Sequence, residues 1–493
     1  NMAADRALST WINDTVYATL AAHEARWLQR MRMGSHEVPP WGQAFMTWWD
    51  KYNTSHPEYF ALQPDGHRGP GAHLTPDRVK MCVSNPELHK AIAEGGTSHN
   101  HFGLSAAEDD SNVGYCTCSK CTAWDNPNVT RWDKPGASPT GSLSDRYARF
   151  FDSVSAVLAE KSPEAIVTAY AYEQYRDPPT SYRIKNNVMM GYVGFGYPSL
   201  PAEKAADKSR WGGWQTAGAK SLFWRPNCLI AGDGMPYMFA GQIAQDFQWL
   251  GAHGLAATDF DSLMGHWASA GPTYWATAMM HWAPEATDPH SLLAKWSAGF
   301  GPAKLAMLDY VTYWERWTNA TFTSDATRTR IENLTRAISS AAGTEHGWYK
   351  NIRFDYSASV FDEADRLLDA AKMACKAQPD CEAKVRFMTT GPKHGRLVAA
   401  AINASAAIFN IGGRGLNRSA LPGVLTAANS LTDYRKQIVA DGTINVMWAQ
   451  QNEIKLGDYT SVGIAADAKR TIPSGWEPWV LTPSTYWIFS LDP

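Results

Sequence analysis

The chain has 493 residues and a formal charge of -3 at pH 7, because 48 acidic residues slightly outnumber 45 Lys and Arg. Nucleic acids and anionic membranes bind proteins that carry a basic excess, and this chain carries none, so neither partner is expected. A hydrophobic content of 44% with 19% charged residues also excludes a disordered chain, and no apolar run reaches the ~18 residues of a membrane span.

Tryptophan is unusually frequent in this sequence. The 22 Trp outnumber both the 20 Tyr and the 17 Phe. An indole ring has a flat apolar face and a polar edge, which suit sugar rings, whose axial C–H patches are ringed by hydroxyl groups. More than half of the tryptophans are nevertheless expected only to pack between helices. The composition is therefore compatible with a carbohydrate ligand.

Short β-like runs alternate with amphipathic helices from about residue 38 to residue 285. Strands are predicted at 99–105, 165–172, 187–194, 221–227 and 255–261, and a 3.6-residue apolar period predicts helices from Ser144 and near Ile243. Polar residues stand at the C-terminal ends of these strands, which is typical of a parallel barrel. We predict an α/β fold, a (β/α)8-type TIM barrel in residues 1–300, of which five or six units can be recognised.

The character of the sequence changes after about residue 300. Apolar residues recur on one helical face from Val360 to Ala371, and no β-like alternation is present until the end of the chain. We predict an α-helical accessory region at 301–465, followed by an aromatic tail at 466–493 that packs back on the body.

The seven cysteines fall into groups with different implications. Cys375 and Cys381 bracket a short turn that a disulfide could close, which would imply an oxidising compartment. Cys116, Cys118 and Cys121 place three thiols within six residues, and Cys82 could supply the fourth ligand of a tetrahedral zinc ion. Two disulfides among these four are equally compatible. Either alternative is structural, because a catalytic zinc keeps an open coordination position, and no catalytic cofactor is predicted.

Acidic residues stand at the C-terminal ends of three predicted strands, where the loops of a parallel barrel converge on the active centre. Cleavage of a glycosidic bond requires one protonated carboxyl group and usually a second, ionised one. We predict Glu108 as the general acid/base and Glu173 as the second carboxylate, either a nucleophile or the group that orients a substrate acetamide. Glu173 could alternatively pair with Arg176, and Asp109 and Asp110 could end their strand in an Asx turn.

Further residues near these strand ends are predicted to bind the substrate. Asp259 and Asp261 share one face of an extended strand, where they hold substrate hydroxyls or pair with Arg225. The predicted substrate-binding residues are Asp109, Asp259, Asp261, Trp41, Tyr172, Trp224, Arg225, Asn227, Trp267 and Tyr274. The lack of Gly-x-Ser-x-Gly, phosphate-loop and His-Glu-x-x-His motifs disfavours serine hydrolase, nucleotide-dependent and zincin chemistries.

Several segments come in an order that resembles a known family. They lie at residues 26–34, 56–60, 66–68, 81–87, 116–121, 144–146, 169–172, 178–179, 224–227 and 259–267. Together they resemble the bacterial domain-of-unknown-function 4838 proteins, which include glycoside hydrolase family 163, over roughly residues 20–300. The resemblance implies a (β/α) barrel and endo-β-N-acetylglucosaminidase action on the chitobiose core of complex N-glycans. Family members often carry Asn-Asp or Asp-Gly where Glu108 and Asp109 stand here, and the acidic residue favours the hydrolase branch.

Two other functions stay open at this point. A non-catalytic glycan-binding protein of a polysaccharide-utilisation system would use the same Trp-rich cleft. An exo-glycosidase acting on uronic acid sugars would need a basic cluster, for which Arg176 and Arg225 are the obvious candidates. The chain opens at Asn1 without the basic and apolar segments of an export signal, which we expect to have been removed. The predicted location is secreted, periplasmic or cell-surface, with a glycan or glycoprotein as the partner.

Overall fold

The computed structural model describes residues 14–31, 40–71, 74–96, 99–108, 111–132, 138–227, 234–260, 265–282, 284, 287–338, 344–408 and 418–455. The fold is mixed α/β, and most of the described residues are helical. The chain forms two compact units. The first, here called the sheet unit, comprises Ser35–Cys228 and Trp249–Asp261. The second, here called the helical unit, comprises Asn1–Gly34, Leu229–Gln248 and Ser262–Pro493.

The sheet unit contains the strands. They are β1 His99–Asn100, β2 Gly103–Ser105, β3 Thr130–Arg131, β4 Thr140–Gly141, β5 Ile166–Ala171, β6 Val188–Tyr192, β7 Ser221–Trp224 and β8 Leu255–Thr258. The main sheet has the order β1-β2-β5-β6-β7-β8, and β3 pairs with β4 separately. Strands β2, β5, β6, β7 and β8 are parallel, whereas β1 runs antiparallel to β2. The parallel neighbours thus follow one another in chain order.

The strand predicted at 99–105 is in fact a hairpin. Strands β1 and β2 pair antiparallel, with His99 opposite Leu104 and Asn100 opposite Gly103, so His101 and Phe102 form the turn. Gly103 has a φ of 150° and lies against β5, where an added Cβ would come within 1.8 Å of the carbonyl oxygen of Ile166. Only glycine permits this close approach of β2 to β5.

The register of β5 to β8 places side chains in rows across the sheet. Tyr170, Gly191, Phe223 and Ala257 are opposite one another and lie on one face. The Tyr170 and Phe223 rings have centroids 5.9 Å apart and close over Gly191, where a Cβ would meet Phe223 at 2.1 Å. The missing side chain of Gly191 therefore makes the room for both rings.

This face of the sheet is concave. Residue Gln43 bridges in parallel to Ala107 beyond β2, and the neighbouring Trp41 packs on Phe223 of β7 with ring centroids 4.5 Å apart. The Tyr170 hydroxyl on β5 also reaches the carboxylate of Asp259 after β8, across β6 and β7, which requires the sheet to curve toward this face. The described residues contain five adjacent parallel strands. These five strands alone do not close into an eight-stranded barrel.

Helices occur in both units and make up most of the helical unit. They are α1 Asp14–Arg30, α2 Trp48–Tyr52, α3 Pro86–Ala91, α4 Ser119–Thr122, α5 Ser144–Lys161, α6 Pro201–Thr216, α7 Ala240–Ala252, α8 Trp267–Trp282, α9 Leu292–Ala298, α10 Lys304–Phe322, α11 Asp325–Ile338, α12 Thr344–Asp355, α13 Ala358–Ala374, α14 Pro379–Ile408, α15 Leu421–Ile438 and α16 Val446–Lys455. Of these, no helix combines the length and apolar character needed to cross a membrane within the described ranges.

The helical unit confirms two local predictions. Helix α13 buries Ala364, Leu367, Leu368 and Ala371 on the face that the apolar spacing predicted. A disulfide joins Cys375 to Cys381 across the turn between α13 and α14. The predicted boundaries at residues 300 and 465 stay predictions, and the aromatic tail at 466–493 lies outside the described residues.

Candidate functional site

The C-terminal ends of the parallel strands carry a second row of side chains on the concave face. The backbone N–H groups of Val193, Arg225 and Asp259 donate to the neighbouring strand at 3.2, 3.0 and 2.9 Å, which extends the ladder just past β6, β7 and β8. Tyr172 stands in the same row because it follows Tyr170 by two residues in an extended chain. These four residues form the C-terminal edge of the concave face, here called the edge row.

An ion pair occupies one end of the edge row. Nε of Arg225 lies 3.2 Å from Oδ2 of Asp259, and the two side chains keep 19% and 23% of their surface exposed. The Tyr170 hydroxyl donates to the same carboxylate oxygen at 3.0 Å, and the Arg225 guanidinium lies over the Tyr170 ring at 4.8 Å. Nη1 of Arg225 also donates to Oδ1 of Asn227 at 2.5 Å. Of the two alternatives for Asp259, the pairing with Arg225 is therefore present in the structure.

The protonation of Tyr170 fits its role as a donor. Burial raises the pKa of Tyr170 above its ordinary value, and the negative charge of Asp259 raises it further, although Arg225 opposes this. A protonated Tyr170 and a partly exposed carboxylate thus form a fixed polar group at the C-terminal edge of the concave face.

Glu173 follows β5 at the same edge and has an unusual backbone. Its φ is 48°, which lies in the left-handed region that residues with a Cβ adopt at a cost of about 1–3 kcal/mol. Such strain persists only where the surroundings impose it, and it is concentrated at functional sites. Arg176 does not pair with the Glu173 side chain, and within the described ranges this half-buried carboxylate has no hydrogen-bond or ion-pair partner. Glu173 is therefore an accessible acid at this edge, unpaired within the described part of the chain.

Contacts with Leu143 and Tyr147 fix the turn that carries Glu173. Glu173–Tyr175 form a short 3-10 turn, in which the Gln174 carbonyl accepts from the N–H of Leu143 at 2.7 Å. The buried Tyr175 ring stacks on Tyr147 of α5 with centroids 4.0 Å apart and an interplanar angle of 18°. These contacts supply the surroundings that keep Glu173 in its strained conformation.

Glu108 is placed differently from the prediction. Its side chain is completely buried. Oε1 accepts from the N–H of Met81 at 2.8 Å, and Oε2 accepts from the Tyr147 hydroxyl at 2.5 Å with Nζ of Lys80 at 3.5 Å. Burial, followed by the charge of Glu108, raises the pKa of Tyr147 well above its ordinary value. A carboxylate with these partners and no exposed surface is a structural anchor, and this geometry gives no support to a general acid/base at Glu108.

Three of the predicted aromatic residues are buried. Trp224 is fully buried on the opposite face of β7, where its ring contacts Phe260 and Phe195. Trp267 and Tyr274 belong to the helical unit, and both are buried. Their rings pack on one another, and Trp267 stacks on Trp27 at 4.6 Å. The predicted subsite role of these three is therefore not supported by their positions.

The remaining predicted residues divide between the concave face and the undescribed part of the chain. Trp41 and Tyr172 are partly buried against the cluster of Ala107, Tyr170, Met189, Val193 and Phe223. Asn227 is exposed beside Arg225. Asp109, Asp110 and Asp261 lie outside the described residues.

Sequence reasoning missed Tyr170, Tyr147 and Lys80. The sequence does indicate Tyr170, because this residue precedes the predicted substrate-binding residue Tyr172 by two positions and so shares its face of the strand. Lys80 and Tyr147 have no such signal, since they reach Glu108 from distant parts of the chain.

A cluster of four thiols forms a candidate metal centre in the sheet unit. The sulfur atoms of Cys82, Cys116, Cys118 and Cys121 all lie within 4.8 Å of one another, and the four cysteines are free. Hydrogen bonds from Cys116 and Cys121 lower the pKa of Cys82, against the effect of its burial. Four convergent thiols are a donor set that suits a soft tetrahedral ion.

Comparisons with known proteins give one family and one distant structure. Residues 6–311 match the family model described as "Domain of unknown function (DUF4838)". No curated protein matches the chain. Among solved structures, the chain is similar to the X-ray structure of a chitobiase from Flavobacterium johnsoniae, with 9% identity and a TM-score of 0.28. This similarity covers 79% of this chain and 64% of the chitobiase, which is less than two thirds of that protein, and establishes neither a shared fold nor a shared activity.

Proposed function

The chain belongs to the DUF4838 family, and we propose that it is a glycoside hydrolase, an endo-β-N-acetylglucosaminidase that cleaves the chitobiose core of complex N-glycans. The observation that carries the proposal is Glu173. It is an unpaired, partly exposed carboxylate in strained backbone at the C-terminal end of a parallel strand, next to an aromatic edge row. Active centres of parallel barrels lie at this end of the strands.

In the proposed reaction, the Glu173 carboxyl group protonates the glycosidic oxygen as its bond to the anomeric carbon breaks. Water supplies the hydroxyl group that this carbon gains and returns a proton to Glu173. The carboxylate has no ion-pair partner within the described ranges and is partly exposed, so a substrate can reach it. Asp259 contributes a fixed negative group, because Arg225 and Tyr170 hold one of its oxygen atoms. Its other oxygen, which has no partner among the described residues, can accept from a substrate hydroxyl or acetamide N–H. A general acid of this kind contributes about 10²–10⁴-fold to the rate.

The aromatic residues of the concave face supply the sugar-binding surface in this proposal. Trp41 and Tyr172 are both partly exposed and pack on buried rings beneath them. A ring that is already packed from below loses little conformational freedom when a sugar stacks on it. Glu108 helps to position the Glu173 turn without contacting the substrate. Its carboxylate accepts from the Tyr147 hydroxyl, and the Tyr147 ring stacks on Tyr175 of that turn.

We extend the proposal to the fold and the location. Parallel strands that neighbour one another in chain order, on a sheet that curves strongly, support a (β/α)8 barrel of which β2 and β5–β8 are a part. The disulfide between Cys375 and Cys381 supports a secreted, periplasmic or cell-surface protein, because such bonds persist in oxidising compartments.

Two alternative functions differ in how the geometry bears on them. A glycan-binding protein would use the same aromatic face, and the burial of Glu108, a predicted catalytic acid, is compatible with such a protein. An exo-glycosidase for uronic acids needs free cations, but Arg225 is already engaged by Asp259 and Asn227. A binder retains glycans unchanged, whereas the proposed enzyme releases them.

The deciding experiment is a digest screen of N-glycoproteins and chitobiose-containing oligosaccharides, read by mass spectrometry. The proposal predicts released glycans with a reducing N-acetylglucosamine and one N-acetylglucosamine left on the protein. Glu173→Gln should abolish release, whereas the matched control Glu164→Gln, an exposed residue before the start of β5, should not. Binding of glycans without release would identify a glycan-binding protein, and cleavage only of terminal uronic acids would identify the exo-enzyme.

A further inference from the structure

The four-thiol cluster joins two segments that are distant in the chain. Cys82 lies just after the residues that pair with Phe60, and Cys116, Cys118 and Cys121 lie in the connection between β2 and β3. Sγ of Cys82 is 3.7 Å from Sγ of Cys118 and 3.9 Å from Sγ of Cys121. Three of the four side chains are buried, and Cys118 is partly exposed.

These separations distinguish a metal site from disulfides. A disulfide requires sulfur atoms about 2.0 Å apart, and none of the four cysteines is bonded in this way. Four sulfurs at about 2.3 Å from a zinc ion, at the corners of a tetrahedron, lie about 3.8 Å from one another. The distances of 3.7 and 3.9 Å correspond to edges of such a tetrahedron. We propose that Cys82, Cys116, Cys118 and Cys121 bind one Zn²⁺ as a structural tetrathiolate site.

The surroundings of the sulfurs suit thiolates. The backbone N–H of Leu62 donates to Sγ of Cys116 at 3.2 Å, and the N–H of Cys121 donates to Sγ of Cys118 at 3.4 Å. Ser84 Oγ lies 3.1 Å from Sγ of Cys121, and the Arg68 side chain hydrogen bonds to Cys82. Donors of this kind orient metal ligands and offset the charge that they carry. When Zn²⁺ binds, four thiol protons are released as four Zn–S bonds form, and no oxidant is needed.

The site is structural because four protein ligands leave no coordination position for a substrate. Its effect is to fasten the β2–β3 connection to the segment around Cys82. The N–H of Thr117 donates to the Leu62 carbonyl at 2.9 Å, and the N–H of Cys82 donates to the Tyr59 carbonyl at 2.8 Å. The backbone N–H of Met81, which precedes Cys82, donates to Oε1 of Glu108. The ion thereby fixes the backbone on which the buried Glu108 anchor depends.

The test uses the full chain, expressed and purified under reducing conditions with zinc present. Elemental analysis by mass spectrometry should find one zinc per chain, and chelation should lower the midpoint of thermal unfolding. Cys118→Ser should retain less than half an equivalent of zinc. The control with both Cys375→Ser and Cys381→Ser removes two cysteines that are disulfide-bonded to one another, and it should keep the full equivalent.

Replacement of zinc by Co²⁺ in the unsubstituted chain tests the ligands themselves. A thiolate-to-cobalt charge-transfer band and the strong visible bands of tetrahedral cobalt are expected, so the proposal stays testable even where Cys118→Ser does not fold. Less than half an equivalent of zinc after reconstitution, iron in place of zinc, or peptide maps showing disulfides among the four cysteines would each overturn it. None of these outcomes depends on whether the protein cleaves glycans.

Discussion

The hydroxyl of Tyr170 on β5 donates a 3.0 Å hydrogen bond to Oδ2 of Asp259, which follows β8, although β6 and β7 lie between them. Neighbouring strands are about 4.8 Å apart, so three spacings separate β5 from β8 in a flat sheet. Side chains that stand perpendicular to a flat sheet would not meet over this distance. The bond therefore reports a sheet that curves around the Tyr170 ring, and it fixes Asp259 at the edge where Glu173 also lies.

Tyr170→Phe removes this bond while it keeps the ring between Gly191 and Arg225. We expect kcat/KM for glycan release to fall about 10-fold or more, because a hydrogen bond to a charged group contributes about 1.5–3 kcal/mol. Steady-state kinetics would measure it. Tyr182→Phe is the matched control, since Tyr182 donates to another carboxylate, Asp152, at 2.7 Å in the same unit. Unchanged kcat/KM in Tyr170→Phe would remove Asp259 and Tyr170 from the proposed site.

Glu108→Gln should affect stability rather than chemistry. The substitution breaks the buried ion pair in which Nζ of Lys80 lies 3.5 Å from Oε2 of Glu108, and loss of a buried ion pair costs about 3–5 kcal/mol in the free energy of unfolding. Denaturant unfolding measures this loss. The double variant Lys80→Met with Glu108→Gln removes both charges and should recover most of it. A stable Glu108→Gln protein whose folded fraction does not release glycan would instead restore Glu108 as a catalytic residue.

Gly191→Ala should be strongly destabilising, because its Cβ would overlap Phe223 at 2.1 Å and Tyr170 at 2.7 Å. We expect a loss of about 1–3 kcal/mol or more in the free energy of unfolding. Gly212→Ala is the control, since it lies within α6 and a Cβ there has no neighbour within 4 Å. Alanine at this helical position should stabilise by about 0.5–1 kcal/mol. Equal stability of the two variants would contradict the described packing of the concave face.

Stability should fall on acidification, partly through two histidines of the helical unit. Burial and the charge of Arg435 lower the pKa of His266 to about 3 and that of His394 well below its ordinary value. Well above pH 6.5 both are neutral whether the chain is folded or unfolded. As the pH falls from 6.5 toward 3, only the unfolded chain takes up these protons. Each histidine therefore removes about 1 kcal/mol of stability per pH unit in this window.

Urea unfolding between pH 4 and pH 7 would test this dependence. His266→Leu should reduce the slope of the unfolding free energy against pH, because it removes one of the two groups. An identical slope in His266→Leu and the unsubstituted chain would show that His266 does not titrate in this way.

Much of the local fold is predictable from this sequence because it depends on nearby residues. The apolar runs predicted β5 to β8, and the apolar spacing predicted the buried face of α13. The convergence of Cys82 with the other three cysteines was also predictable, because a tetrahedral zinc ion takes four thiolate ligands. Alternation along a strand could have excluded Trp224, since Trp224 and Arg225 are adjacent and must face opposite sides of β7.

The roles of individual carboxylates were less predictable, because they depend on partners that are distant in the chain. Glu108 and Glu173 both follow strands in the sequence, yet Lys80 and Tyr147 enclose the first, and the second stays unpaired within the described ranges. The left-handed conformation of Glu173 has no sequence signal, as glycine would be the usual residue there. Only the tertiary contacts separate the anchor from the candidate acid.

The most direct measurement of the central claim is the turnover of glycan release by Glu173→Gln beside Glu164→Gln, on a glycoprotein that bears complex N-glycans. Intact-mass spectrometry would follow the loss of glycan, and thermal unfolding would establish that both variants are folded. We predict that Glu173→Gln loses about 10³-fold in kcat with an unchanged unfolding midpoint, and that Glu164→Gln keeps the rate of the unsubstituted chain. A folded Glu173→Gln protein that releases glycan at the unsubstituted rate would contradict the account.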